Sequence, residues 1–363
     1  MMRMTTCDTA AAMDVPHARR RTIVVGVVRG ATPGRRDLLQ MSNQDPGPLK
    51  PTKVGVALML GEVEATQTPK SWVDTRALAL QAEAFGVDSV WVYDHLLYRW
   101  PNDERTHGIW EGWSMLCALA EATTRVELGT IVMCTAWRNP ALLAKMAITA
   151  DEISGGRIIL GIGAGWHEPE FAAFGYPFDH LASRFEESVQ IIGPLLKDGH
   201  VDFHGTYVSA PNGEMAPRGP RPGGPPVLIA SKGERMLRIT AEHADQWKAA
   251  WFGNPTQFVP RFAALQSAFV KAGRELDTLV VTAGIQVAYP HLFGDENVPE
   301  AINDPEKFLT GSAEEIAESM LAYRELGVDH LITIVSPDTT AAMAEFGKAL
   351  AIYRERSGTS APA

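Results

Sequence analysis

Hydrophobic and polar positions alternate in a regular rhythm along the chain from Lys53 onward. Short, almost wholly apolar runs are typical of strands covered on both faces, and each is followed by a segment whose apolar residues recur with helical spacing. The predicted strands are Val54–Leu60, Ser89–Tyr93, Val126–Met133, Arg157–Gly161, Val227–Ala230, Asp245–Ala250, Leu279–Ala288 and Val328–Val335. The predicted helices are Ser71–Phe85, Gly112–Ala122, Pro140–Ser154, Arg184–Leu196, Glu234–His243, Pro255–Ala272, Ser312–Leu326 and Asp338–Arg354.

Eight strand–helix pairs in one unbroken series predict a single α/β domain over residues 51–356, closed as a (β/α)8 TIM barrel. Capping signals support the helix ends, with Ser71 as an N-cap, Gly86 as a C′ residue and Ser312 with Glu315 as a capping box. The polar, Pro/Gly-rich residues 200–226 predict an insertion near strand five. An open, doubly wound sheet is the alternative, and residues 357–363 are expected to form a flexible tail.

The first fifty residues differ from the rest and are excluded from the predicted fold. They hold eight Lys/Arg and four acidic residues, whereas the whole chain has a net charge of −10. The apolar stretch 22–28 is short for a secretory signal, and no clean cleavage site follows it. We expect a disordered leader, or residues upstream of a start at Met41, and a targeting segment is the alternative.

Composition and charge exclude several classes of protein. An apolar fraction of 45% and a charged fraction of 21% are ordinary for a soluble protein. Without a basic stripe, a net charge of −10 argues against nucleic acid as the partner. Three cysteines without a CxxC pair argue against a disulfide framework or structural zinc and favour the cytoplasm. No apolar run approaches the roughly 20 residues that span a membrane, and the histidine spacing suggests no metal site.

The most informative stretch runs from Arg157 to Phe171, where a predicted buried strand continues into alternate glycines. Gly161, Gly163 and Gly165 leave no side chain where the backbone comes close to another group, and Trp166 follows directly. This pattern indicates the entrance of a cofactor pocket. A dinucleotide-binding loop is the alternative, but its G-x-G-x-x-G spacing belongs to the first βα unit and opens a helix.

Other candidate residues also directly follow a predicted strand, where TIM-barrel enzymes carry their catalytic groups. Asp94 and His95 follow strand two, and a histidine there can donate or accept a proton; a loop-capping Asp and an exposed His are the alternative. Glu168 and Glu170 follow strand four, either as a general acid/base pair or as solvated loop acids. Cys134 ends strand three and is interpreted as a small lining residue.

The turn Ala230-Ser231-Lys232-Gly233 ends strand five and opens a helix at Glu234. Free backbone amides at a helix N-terminus attract phosphate, and Lys232 and Ser231 add a cation and a hydroxyl. We therefore predict an anion site here, with an ordinary polar turn as the alternative. Three tryptophans in loops after strands can form an apolar wall, and these are Trp100, Trp137 and Trp166.

Taken together, these segments resemble the bacterial luciferase-like family of flavin- and deazaflavin-dependent oxidoreductases over about Lys53 to Arg354. The matching segments are SVWVYDHL (89–96), LGTIV (128–132), RNPALLAKMAITADEISGGRIILGIGAGWHEPEFAAFG (138–175), RFEESVQIIGPLL (184–196) and PPVLIASKGERMLRITAEHADQW (225–247). The resemblance implies a TIM barrel, usually dimeric, that binds coenzyme F420 or reduced FMN at its C-terminal end. It also implies a small-molecule substrate and a separate reductase that supplies reduced cofactor.

The resemblance assigns a role to each motif. Asp94 and His95 flank the cofactor ring as catalytic residues, with His95 as the proton donor or acceptor, and Ile131 and Val132 form a bulged, often cis, peptide behind it. Cys134 takes a place that is often Thr in deazaflavin relatives. The residues implied to line the cofactor cleft are Gly163, Gly165, Trp166 and Glu170, and those implied to hold its phosphate are Ser231, Lys232 and Gly233. Relatives often have Gly-Gly in the phosphate turn, from which this chain departs.

The cofactor decides the class of reaction. With F420 the family exchanges hydride with a carbonyl, an alcohol or an activated alkene, and with reduced FMN it activates oxygen for monooxygenation. The GxGxGWxxxEF pattern favours F420-dependent hydride transfer to or from a small organic substrate. An FMN-dependent monooxygenase is the first alternative, and a flavin-binding barrel without turnover is the second.

Overall fold

Eight parallel strands close into a barrel in the computed structural model, which describes residues 52–63, 67–294 and 298–360. The predicted leader lies outside these residues. The barrel strands are β1 Lys53–Ala57, β4 Ser89–Val92, β5 Glu127–Thr130 with its continuation β6 Met133–Cys134, β7 Ile158–Gly163, β10 Val227–Ala230, β11 Gln246–Phe252, β12 Val280–Ala288 and β13 His330–Ser336. Because β7 also pairs with β10, the sheet has no open edge, so the predicted barrel is confirmed and the open sheet was wrong.

Strand three departs from its prediction. The apolar run 126–133 was predicted as one continuous strand, but β5 ends at Thr130 and β6 begins at Met133. Between them, the peptide bond from Ile131 to Val132 is cis, as the family resemblance implied. The break turns both side chains toward the C-terminal end of the barrel, where they contribute to the cavity described below.

Helices surround the barrel. They are α1 Trp72–Ala84, α2 Gly112–Ala122, α3 Pro140–Ser154, α4 Glu168–Phe174, α5 Leu181–Lys197, α6 Glu234–His243, α7 Phe258–Ala272, α8 Ala313–Glu325 and α9 Thr340–Ser357. The Ser71 N-cap and the capping box of Ser312 with Glu315 are present as predicted. The first turn of the predicted helix 255–272 is a 3-10 turn, Pro255–Gln257. Helix α4, which lies at the C-terminal end of the barrel, was missed, because its seven residues are too short for a periodic signal.

The predicted insertion precedes strand five of the barrel. It forms an antiparallel hairpin of β8 His200–His204 and β9 Ser209–Glu214, placed between α5 and β10. A second small hairpin follows β1 and consists of β2 Glu62–Val63 and β3 Thr68–Pro69. In the part of the chain that the structure describes, no helix has the length and apolar character needed to cross a membrane.

Buried polar groups lie in the apolar barrel interior. Trp91, Ile159, Leu228 and Ile332 pack there, while a second and larger apolar layer fills the space between the strands and the helices. Trp91 donates its indole N–H to Ser89 Oγ at 2.7 Å, and this hydroxyl is 2.7 Å from His330 Nε2. Burial lowers the pKa of His330 to about 3, so its ring is neutral in the folded protein.

Candidate active site

The C-terminal ends of β4, β6 and β7 surround a cavity of about 90 Å³. The described residues that line it are Asp94, His95, Ile131, Val132, Cys134, Trp137, Gly165, Trp166 and Glu170. Most of the residues implied by the family resemblance are therefore brought together, although they come from three separate parts of the sequence. Gly163 and the turn 231–233 are not among the lining residues.

A buried carboxylate holds the imidazole of His95. Glu170, in the first turn of α4, is fully buried, and its two oxygens lie 2.9 and 3.1 Å from His95 Nδ1. Its Oε1 also accepts the backbone N–H groups of Leu96 and Leu97 at 2.6 and 3.2 Å. An ionised carboxylate only accepts hydrogen bonds, so Nδ1 carries the proton, and Nε2 remains for exchange with a ligand. No described residue forms a hydrogen bond with Nε2.

Asp94 also lines the cavity and forms a second buried ion pair. It accepts both arms of the Arg138 guanidinium at 2.6 and 3.0 Å, and the backbone N–H of Cys134 at 2.9 Å. Burial raises the pKa of Asp94, and the guanidinium and the amide oppose this shift. Arg138 also binds Glu111, the N-cap of α2, at 2.9 Å. Asp94 thus ties strand two to strand three, and its carboxylate has little capacity left for a ligand.

Cys134 is a buried, protonated thiol. Burial raises its pKa to about 12, far above the range of a nucleophilic thiolate. Its sulfur lies 3.7 Å from the carbonyl oxygen of Ala164, a weak contact. These properties fit the interpretation of Cys134 as a small lining residue.

The alternate glycines of β7 are required by the neighbouring strand. A Cβ on Gly161 would lie 1.8 Å from the carbonyl oxygen of Thr130, and one on Gly163 would lie 2.6 Å from Val132 Cγ2. Gly165 has a φ of +89°, which favours glycine, and it lines the cavity. The space beside Gly161 and Gly163 is thus filled by β5 and by the bulge that follows it. These two glycines do not leave room for a ligand.

Aromatic rings form a wall beside His95. Trp166 is 55% exposed and lies with its ring centroid 5.6 Å from that of His95 and 6.2 Å from that of Trp100, on which it stacks. Tyr98 also stacks on Trp100, with the ring centroids 5.3 Å apart, and its centroid lies 4.5 Å from that of His95. Trp137 lines the cavity and packs against Phe171 of α4. Of the three predicted tryptophans, Trp100 and Trp166 thus stack together with Tyr98, whereas Trp137 packs separately against α4.

The turn 231–233 lies at the same end of the barrel, after β10, which pairs with β7. The hydroxyl of Ser231 is buried and lies 2.8 Å from Thr240 Oγ1, so it is already engaged within the protein. Lys232 and Gly233 are exposed, and Gly233 precedes α6 without a side-chain cap. An anion here would therefore meet the first backbone amides of α6 and the ammonium of Lys232.

The sequence did not single out Arg138, which binds Asp94, or Tyr98, which packs on His95. An ion pair between residues 44 apart, such as Asp94 with Arg138, leaves no spacing signal. Tyr98 follows the DH pair by three residues, so the loop after strand two was the only available hint.

Comparison with known proteins identifies the family. The family model of the luciferase-like monooxygenases matches residues 52–291, more than half of the chain. The chain belongs to this family. Curated relatives include the F420-dependent glucose-6-phosphate dehydrogenase of Amycolatopsis mediterranei (strain U-32), 35% identical over 171 residues, 46% of this chain and 50% of that protein. The pyrimidine monooxygenase RutA of Klebsiella pneumoniae subsp. pneumoniae is 32% identical over 178 residues, 47% of this chain and 48% of that protein.

A third relative of this luciferase-like protein is the phthiodiolone/phenolphthiodiolone dimycocerosates ketoreductase of Mycobacterium sp. (strain JLS), 29% identical over 266 residues and 69% of each chain. The chain spans about half the length of the first two relatives.

Solved structures confirm the fold. An F420-dependent secondary alcohol dehydrogenase in complex with an F420-acetone adduct gives a TM-score of 0.66 at 20% identity, covering 84% of this chain and 100% of that one. A riboflavin lyase (RcaE) with modified FMN and riboflavin gives 0.69 at 16% identity, covering 86% and 93%. Proteins similar to this luciferase-like chain thus include dehydrogenases, a ketoreductase and monooxygenases. Some of these similar proteins are named for F420, and one solved structure contains modified FMN.

Proposed function

We propose that this luciferase-like protein is an oxidoreductase that uses coenzyme F420 to transfer hydride to or from a small organic substrate. One observation carries the proposal: Glu170 holds His95 with its Nε2 available beside a cavity that is walled by Trp166 and apolar side chains. This arrangement suits a planar heterocycle that needs one proton donor or acceptor at its edge. The similarity to F420-dependent enzymes supports the choice of cofactor.

The residues present fit such a cofactor. Ile131, Val132 and the exposed indole of Trp166 offer flat apolar surface for a ring. Lys232 and the N-terminus of α6 would hold a phosphate. Bound F420 supplies hydride chemistry at its central ring and, unlike reduced FMN, is nearly inert to oxygen. His95 would move the accompanying proton through Nε2, and Glu170 would keep the ring oriented.

Titration of the cofactor-free full-length chain with F420 and with FMN, followed by fluorescence quenching, tests the proposal. We expect F420 to bind with a dissociation constant of about 1 μM or lower and FMN at least roughly tenfold more weakly. Trp166→Ala should weaken F420 binding, whereas Trp110→Ala, at a 48% exposed tryptophan that does not line the cavity, should not.

Other outcomes of this titration contradict the proposal. Tight binding of FMN alone would favour the monooxygenase alternative, for which the similarity to RutA speaks. Binding of neither cofactor would favour a barrel without turnover. The homodimer and the separate reductase that the family resemblance implies remain predictions.

A further inference from the structure

Lys248 is a lysine inside the barrel. It is the third residue of β11, and its neighbour Trp247 packs outward toward Phe258 of α7, with the ring centroids 6.0 Å apart. Successive side chains of a strand point to opposite faces, so Lys248 points inward, where it is only 6% exposed. Its Nζ lies 3.9 Å from the ring centroid of Trp251, three residues nearer the C-terminal end of the strand. The side chain therefore extends toward the end of the barrel that holds the cavity.

The ammonium of Lys248 has no counter-ion in the part of the chain that the structure describes. Among the described residues, no carboxylate and no hydrogen-bond acceptor pairs with Nζ. Nζ makes a cation–π contact with the ring of Trp251. Burial alone lowers the pKa of Lys248 to about 7. A cation–π contact alone does not offset the burial of a whole charge. Groups held in such an unfavourable state are commonly kept for binding or catalysis.

Nearby polar atoms also lack partners. Thr282 of β12 is the register partner of Lys248, and Gln246 precedes Lys248 by two residues on the same face of β11. Thr282 Oγ1 and Gln246 Oε1 are buried, and neither has a hydrogen-bond partner in the described structure. Buried polar atoms in folded proteins are nearly always hydrogen-bonded. The inner wall of β11 and β12 therefore has unused capacity for a polar ligand.

This wall adjoins the candidate active site. Trp251 packs on the apolar cluster of the barrel interior together with Ile131 and Val132, which line the cavity. A substrate that enters the barrel beside the cofactor ring would thus meet Trp251 and Lys248 on its inner side. Arg138, a cation that also lies at this end of the barrel, is occupied by Asp94 and Glu111.

We propose that Lys248 binds a carboxylate of the substrate, an inference that rests on the proposed function and names its substrate class. A single ammonium matches the charge of a carboxylate, and the buried pair would gain a charge-assisted hydrogen bond that neither partner has alone. A phosphate dianion is typically held by several amides or guanidinium groups, which this wall does not offer.

Binding should depend on pH, because only protonated Lys248 attracts the anion. The register partners of Lys248 on β10 and β12 are Ala230 and Thr282, which do not titrate. His330, on β13, stays neutral because its pKa is about 3, and Cys134 stays protonated because its pKa is about 12. Across the cavity, Asp94 is paired with Arg138 and Glu170 with His95.

The test is calorimetric titration of the cofactor-free full chain with acetate, benzoate, inorganic phosphate and the neutral benzamide. We expect a carboxylate probe to bind at least roughly tenfold more tightly at about pH 6 than at about pH 8.5, since protonation falls across a pKa of about 7. Lys248→Met and Lys248→Gln should each lose this binding by at least roughly tenfold. Benzamide should show no pH dependence, because it carries no charge that Lys248 could pair with.

Three results would overturn the inference. They are carboxylate affinity that does not depend on Lys248, equal carboxylate affinity at both pH values, and a higher affinity for phosphate than for acetate and benzoate. Thermal melting of both Lys248 variants shows whether they are folded. F420 and FMN titrations of the same samples separate the two proposals. If the protein binds a carboxylate but neither cofactor, only the proposed function is contradicted. If it binds a cofactor but no carboxylate, only the role of Lys248 is contradicted.

Discussion

Glu170 Oε2 lies 2.9 Å from His95 Nδ1, although 75 residues separate the two in the sequence. The carboxylate is fully buried and also accepts the amides of Leu96 and Leu97, so the loop after strand two is built around it. Glu170 therefore orients the imidazole of His95 and also fixes the backbone of the loop that carries it. The conformation of this loop and the protonation of His95 Nδ1 both depend on this one carboxylate.

Replacing Glu170 should lower turnover without preventing cofactor binding. Glu170→Gln keeps a carbonyl oxygen for the amide of Leu96 but removes the charge that fixes the His95 proton, so we expect kcat to fall at least roughly tenfold. The cofactor dissociation constant, measured in parallel, should change little. An unchanged kcat would show that orientation of His95 does not limit the reaction, and Glu170→Asp should recover part of the loss.

His95→Ala should retain the fold and cofactor binding while turnover falls at least roughly tenfold, the usual effect of losing an acid/base group. Because His95 and Glu170 act as a unit, the double variant should be little slower than His95→Ala alone. Steady-state kinetics of the four proteins gives this cycle. Multiplicative losses would mean that Glu170 acts independently of His95.

Lys232→Ala should weaken cofactor binding in a salt-dependent way. The ammonium is exposed at the start of α6, so its attraction for a phosphate is screened. We expect a several-fold loss of affinity at about 0.01 M salt that nearly disappears at about 1 M. Lys271→Ala is the matched control, because Lys271 is exposed nearby but paired with Glu234 at 2.9 Å. Equal affinity of Lys232→Ala and wild type at low salt would place the phosphate elsewhere.

His330 should make the protein sensitive to acid. Its pKa falls from 6.5 to about 3 on folding, so the unfolded chain binds a proton that the folded protein excludes. Between these values, the free energy of unfolding should fall by about 1.4 kcal/mol for each pH unit of acidification from this group alone. Urea denaturation at several pH values should therefore give a flatter profile for His330→Gln than for the wild type, and parallel profiles would refute the assignment.

Gly161→Ala should destabilise the barrel by roughly 3 kcal/mol, because the new Cβ would meet the carbonyl oxygen of Thr130, a backbone atom that cannot rotate away. Gly193 in α5 is a matched control, because a Cβ added there would have no atom within 4 Å beyond the backbone of its own helix. Gly193→Ala should stabilise the protein by roughly 0.5–1 kcal/mol. Chemical denaturation measures both, and a neutral Gly161→Ala would show that β5 can shift.

The barrel could be predicted because each unit carries its own local signal, an apolar run followed by a capped helix. The break after Thr130 could not, since its apolar residues continue the strand pattern without interruption. Asp94, His95 and Glu170 could be singled out because they follow predicted strands. The sequence could not show which carboxylate binds His95, because this depends on the packing of two loops that are 75 residues apart. Lys248 could not be singled out, because the sequence shows a lysine in a strand and not the absence of its counter-ion.

Every described residue that lines the cavity lies between Asp94 and Glu170, whereas Lys248 and Trp251 belong to a later strand, β11. The candidate active site and the inner wall of β11 are thus encoded by different stretches of the gene. A substitution on β11 can therefore change the inner wall of the barrel without altering any described residue that lines the cavity.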